Sequence, residues 1–316
     1  LIKGDTNLEV SGQLRALGGG FQILDTAVLN PSSSGTDDEA AEVVRGFPSV
    51  NPSSTQITEV TSGGNSGTFN GAGNTYDLAY NGTGTSTAAS ELSPSNTRNV
   101  AVQDEVTLEL DGNKTVSGKL TVGPNAIISD DGNSSARRLT LSGDDTHQVD
   151  GVIEGRNSTN TNEVTLRVAG AGATVEGDES VSNDAGGSLI ENLEVTATNV
   201  TVSDVQQITG DVTVGGDALG SEGGLTLALA DVVPSDPNND PDRDQTITGT
   251  VKVGGGNTAG TLTLNDDATV LSTGEVDVNN GTLGFGSNTL TLEDASFAGA
   301  ASGVSNSGSG TLRMRD

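Results

Sequence analysis

Oxygen donors are the residues best placed for chemistry in this 316-residue chain. Asp236, Asn238, Asp240, Asp242 and Asp244 put one at every second position of a loop stiffened by Pro237 and Pro241. Such an alternation could wrap a hard cation, calcium above all, which prefers carboxylate and carboxamide oxygens. It is not an EF-hand: Pro241 stands where the turn glycine belongs and Ile247 where the bidentate glutamate belongs. The competing reading is a solvated acidic loop between two structural repeats. Paired acids occur at Asp130-Asp131, Asp144-Asp145 and Asp266-Asp267. Carboxylates on one face of a β-helix can do acid-base work on a polysaccharide. Here they stand beside Gly and Asn, where Asp is favoured for hydrogen bonds to its own backbone, so turns are the expected role. Aromatic platforms for sugars are scarce, with Phe285 and Phe297 the two in the second two-thirds of the chain. His147 is the sole histidine, so any Ser-His-Asp triad would have to use it. No nucleophile-elbow glycine pattern surrounds a serine, and turn-forming neighbours predict a surface imidazole. The expectation is a protein that is not an enzyme.

These residues sit in a chain with 43 Asp+Glu against 14 Lys+Arg, a net charge of -29. That balance excludes nucleic acid and anionic membrane as direct partners, because both need a basic surface. The absence of cysteine removes disulfides, thiolate metal sites and a cysteine nucleophile. Few lysines and abundant carboxylates suit a saline habitat, or an ordinary acidic extracellular surface. No apolar run is long enough for a membrane span. The first residue is Leu, as in a mature secreted chain or an excised piece of a longer one, and a secreted, cell-surface protein is expected. Asn-x-Ser/Thr sequons at Asn81, Asn113, Asn133, Asn157, Asn199 and Asn280 permit glycosylation in a host that performs it.

Only 32% of the residues are hydrophobic, yet they are ordered along the chain. Val106, Leu108 and Leu110 alternate with polar residues, as do Val164, Leu166 and Val168, Leu225, Leu227 and Leu229, and Leu262 and Leu264. Short alternating runs bounded by Gly, Asn or Asp read as half-buried strands. A phrase, apolar-x-Gly-x-apolar, recurs at Val116-Ser-Gly118-Lys-Leu120, Ile208-Thr-Gly210-Asp-Val212 and Ile247-Thr-Gly249-Thr-Val251, with a looser copy at Val149-Asp-Gly151-Val152-Ile153. These features predict an all-β chain forming a β-solenoid (parallel β-helix), in which small aliphatic residues of each coil stack on the next and glycines take the corners. Antiparallel β-sandwich domains are the alternative.

Phrases such as Gly260-Thr-Leu-Thr-Leu-Asn265, Asn280-Gly-Thr-Leu283 and Gly310-Thr-Leu-Arg313 resemble the right-handed parallel β-helix passenger regions of autotransporters and filamentous-haemagglutinin-type adhesins. The resemblance covers residues 100–316 and implies a secreted repeat protein. It carries over no functional residue.

Residues 1–99 hold five of the seven aromatics and a charge of -6, leaving -23 for residues 100–316. They are expected to form an N-terminal strand plus a loop-rich cap or insertion, with 100–316 as the solenoid. Thr36-Asp-Asp-Glu39 reads as a capping box and predicts one short helix near 37–45. Val10-Ser-Gly12-Gln-Leu14 copies Val116-Ser-Gly118-Lys-Leu120, which would put the first strand in the same sheet system. Gly310 to Asp316 closes the sequence on an alternating strand, and an open coil edge templates pairing with another chain. The function expected is a structural subunit of a surface filament, sheath or adhesin that self-associates through β edges and has a cell-surface or carbohydrate target. A polysaccharide-binding or cleaving β-helix is the alternative.

Overall fold

The computed structural model describes side chains at residues 105–132, 135–155, 163–177, 188–216, 218–228, 247–265, 275–290 and 309–312. It adds those of 80, 85, 88, 92, 97, 99–102 and 292, and elsewhere describes the backbone of the strands. Every pairing between its strands is parallel, and no helix occurs among the described residues. From Val106 to Arg315 the strands fall on three sheets in unbroken rotation. Val106–Leu110 lies on the first face, Lys114–Val116 on the second, Leu120–Val122 on the third and Ile127–Asp130 on the first again. From Leu120–Val122 onward each strand therefore pairs with the strand three places before it. The chain is a parallel β-solenoid with three strands to a coil.

Coils differ in length because insertions are taken up at corners. The step from Ser188 to Gln206 is 18 residues, whereas that from Asp211 to Thr250 is 39. The recurrent glycine phrase does not mark one corner. Val116 to Leu120 turns from the second face to the third, Val149 to Ile153 from the third to the first, and Ile208 to Val212 and Ile247 to Val251 from the first to the second. The spacing between copies is therefore not a coil period. Nor is positive φ the reason for the glycine, since Gly151, Gly210 and Gly249 all lack it. The reason is close approach: a Cβ on Gly249 would lie 2.3 Å from the carbonyl carbon of Gly210 one coil away.

The interior is a set of columns running through successive coils. Ile128, Ile153, Ile190, Ile208 and Ile247 stack in register on the first face, each fully buried. On the second face Val116, Leu141, Val168, Val195, Val214, Val253 and Val278 do the same. Burying one such side chain is worth roughly 1.5–3 kcal/mol, and apart from Tyr80 and Phe285 the described core cluster is aliphatic. Side chains also stitch the corners entering the second and third faces. Asn99 Oδ1 accepts Lys119 N–H at 2.8 Å, Asn113 accepts Arg138 N–H at 3.0 Å, Asn192 accepts Asp211 N–H at 2.8 Å, and Asp211 accepts Thr250 N–H at 2.7 Å.

The N-terminal strands differ from expectation in two places. Within 37–45, where a short helix is expected, the described residues Ala41–Val44 form a strand paired with Tyr76–Tyr80, and the others lie outside the described residues. Val43 and Val44 are β-branched, and a neighbouring strand edge offers more hydrogen bonds than an isolated helix of about two turns can make. Asn7–Val10 joins Val28–Pro31 and Thr68–Phe69 in a separate sheet rather than one of the three long ones. Three consecutive strands, Phe21–Leu24, Val28–Pro31 and Ala41–Val44, nonetheless pair with Ile57–Val60, Thr68–Phe69 and Tyr76–Tyr80, again three places on. Gly84–Ala88 lies on the first face and Thr97–Val102 on the third, so the long sheets run across residues 99 and 100.

Candidate functional site

The calcium-type loop at Asp236, Asn238, Asp240, Asp242 and Asp244 lies outside the described residues, as does Asp266-Asp267. The other two acid pairs occupy different corners. Asp130 is fully buried, and its Oδ2 accepts Gly132 N–H at 2.7 Å, closing a turn in which Gly132 has φ 76°. Asp131 holds Arg137 at 2.7 Å. Asp144 and Asp145 are exposed just before the third face. These two described pairs therefore stand at opposite ends of the Arg137–Leu141 strand rather than side by side.

His147 is not at the surface. It is fully buried on the third face, where Thr121–Val122 and Gln148–Val149 run in register and Val175 pairs with His147 one coil on. Turn residues precede it, but the alternation Thr146-His147-Gln148-Val149 points it inward with Val149. Nδ1 accepts Leu120 N–H at 3.0 Å, so the neutral ring carries its proton on Nε2, which has no partner. Desolvation pushes its pKa down to about 4; Asp145 opposes this and Lys119 adds to it. The imidazole is a neutral core residue, not an accessible base. Phe285 is likewise buried and offers no sugar platform.

The sequence did not single out an acidic corner at Glu154, Glu163 and Glu191. Glu191 Oε2 accepts the N–H groups of Gly155 and Val164, both at 2.7 Å. Burial raises its pKa more than those bonds lower it, with Glu154 and Asp130 raising it further. Glu163 is raised by burial and then by Glu191 and Asp211, and Glu154 by burial. Among the described residues no group of three or more His, Cys, Asp or Glu is arranged to hold a metal. Glu191 works as a clamp on backbone donors. A glutamate next to a coil corner is the only sequence signal it leaves.

Two further features belong to the outside of the solenoid. Charge is concentrated on the second face, where Arg167 meets Glu194 at 2.6 Å and Lys252 is in register with Asp277. The strands Ser296–Gly299, Val304–Ser305 and Thr311–Arg315 stand last in the order of the three long sheets. Thr311–Arg315 pairs with Thr289–Glu293 on one side, and its Leu312, in register with buried Leu290, is 44% exposed. Among the described residues no helix is long and apolar enough to cross a membrane.

Compared with protein-family models, curated proteins and solved structures, the chain matches none.

Proposed function

We propose that this is a non-enzymatic, extracellular structural protein, a subunit of a surface filament, sheath or adhesin of the kind that autotransporter-like passengers represent. The observation that carries the reading is the stack itself, in which coils are held to one another by parallel backbone ladders and continuous apolar columns, a contact that a coil of another chain can also make. A further parallel coil laid on such a stack would continue the ladder of backbone hydrogen bonds and the apolar columns together. A second copy stacked in the same sense supplies such a coil, and a head-to-tail contact that does not close builds a filament. The separate corners of the two described carboxylate pairs and the burial of His147 support the non-enzymatic part.

Assembly through the Thr311–Arg315 strand can be tested by sedimentation of the full chain and of Leu312→Glu. The reading expects the wild type to sediment as species heavier than one chain and the variant, with unchanged circular dichroism, to lose them. Equal sedimentation of the two proteins contradicts assembly through this edge.

A further inference from the structure

The third face differs from the rest of the acidic surface. From Val200 to Gly284 its outward strand positions are Thr201, Ser203, Gly224, Thr226, Ala228, Thr261, Thr263, Thr282 and Gly284, none of them charged. Thr146, Thr174, Thr201, Thr226 and Thr263 form a column through five coils, with a hydroxyl about every 4.8 Å along the stack. In the next column Gly224 pairs with Thr261 and Thr261 with Thr282. Lacking a side chain, Gly224 leaves a gap there. A groove of about 320 Å³ occupies it, lined by Asn199, Glu222, Thr226, Thr261 and Thr263 among others.

We propose that this groove binds a neutral carbohydrate chain lying along the stack. Its lining offers hydroxyls, one carboxamide and one carboxylate, which match the donors and acceptors of sugar hydroxyls. No lysine or arginine lines it, and the chain carries -29, so an anionic polymer is repelled. A single carboxylate is too few ligands for a hard cation, and a floor of threonine and glycine gives an apolar ligand little to bury against. The volume lies at the small end of ligand sites, suiting one sugar ring at a time, and the threonine column offers the same contact to successive rings. Side-chain hydrogen bonds within the protein do not occupy Thr226, Thr261 or Thr263 among the described residues. The proposal is independent of assembly through the Thr311–Arg315 edge, since the groove is complete within single-chain coils.

The test uses the full chain and, as probes, cellohexaose, xylohexaose and laminarihexaose, with hexagalacturonate as the anionic comparison. Ligand-observed NMR and calorimetry at millimolar sugar read the affinity. Two variants accompany the wild type: Thr226→Val with Thr263→Val, which keeps shape and strand preference while removing hydroxyls, and Gly224→Val. A Cβ at Gly224 meets nothing closer than Asn199 N at 3.3 Å, so the second variant fills the groove rather than the core. The result expected is binding of at least one neutral hexasaccharide, weakened about tenfold or more by either variant, and none of hexagalacturonate. Failure of all three neutral sugars to bind, binding that neither variant alters, or equal binding of the anionic sugar overturns the proposal. Loss of filaments in Leu312→Glu leaves this result untouched, so the two readings fail separately.

Discussion

At the scale of single residues, His147 makes the sharpest statement. Its folded pKa of about 4 lies below the ordinary 6.5, so above 6.5 the imidazole is neutral in both states and contributes nothing to pH dependence. As pH falls from 6.5 to about 4 the unfolded chain binds a proton that the core refuses, and stability is lost. The difference in pKa corresponds to about 3 kcal/mol. Urea titrations of wild type and His147→Asn from pH 7 to 4 should show a loss of that order in the wild type, largely absent from the variant. Equal slopes would mean the ring is not buried neutral. The glutamate corner acts in the opposite sense. A raised carboxyl pKa means the folded state prefers the proton, so acidification favours folding at Glu191. Glu191→Gln keeps an acceptor for Gly155 and Val164 and should raise Tm at pH 7 while converging with wild type in acid. A lower Tm at both pH values would contradict a net cost of the charge.

At the scale of elements, each strand gains most of its stability from the columns it joins. Ile153→Ala opens a cavity between Ile128 and Ile190 and should cost about 2–5 kcal/mol in a denaturant titration. Gly170→Ala tests the corner packing. Its Cβ would fall 1.6 Å from the Gly143 carbonyl oxygen, so the coils must separate locally, with a loss of about 2 kcal/mol or more. A neutral effect would refute close approach as the reason for that glycine. Much of this level was legible beforehand: Leu-Thr-Leu and Val-Thr-Val runs announce half-buried strands, and glycine between them announces corners. The face each strand occupies was not legible, because coils of 18 to 39 residues hide the period and one phrase serves every corner. His147 was misjudged because the turn residues before it outweighed a two-residue alternation that begins at Thr146. At Ala41–Val44 a strand stands where the capping signals predict helix, because local signals say nothing of a neighbouring strand edge. The threonine column was invisible because its members are 25 to 37 residues apart and align only when the chain is wound.

At the scale of the whole molecule, the net charge of -29 opposes contact between copies, while the coil-on-coil stacking proposed above would favour it. Screening should tip the balance, because repulsion between exposed charges fades beyond a Debye length of about 8 Å at physiological salt. Light scattering is therefore expected to rise as salt is added to the purified chain and to fall on dilution into low salt. Electron microscopy of the full chain across salt and calcium concentrations tests the proposed function most directly. Unbranched rods lengthening with ionic strength are the predicted result, and particles one chain long under every condition would contradict it.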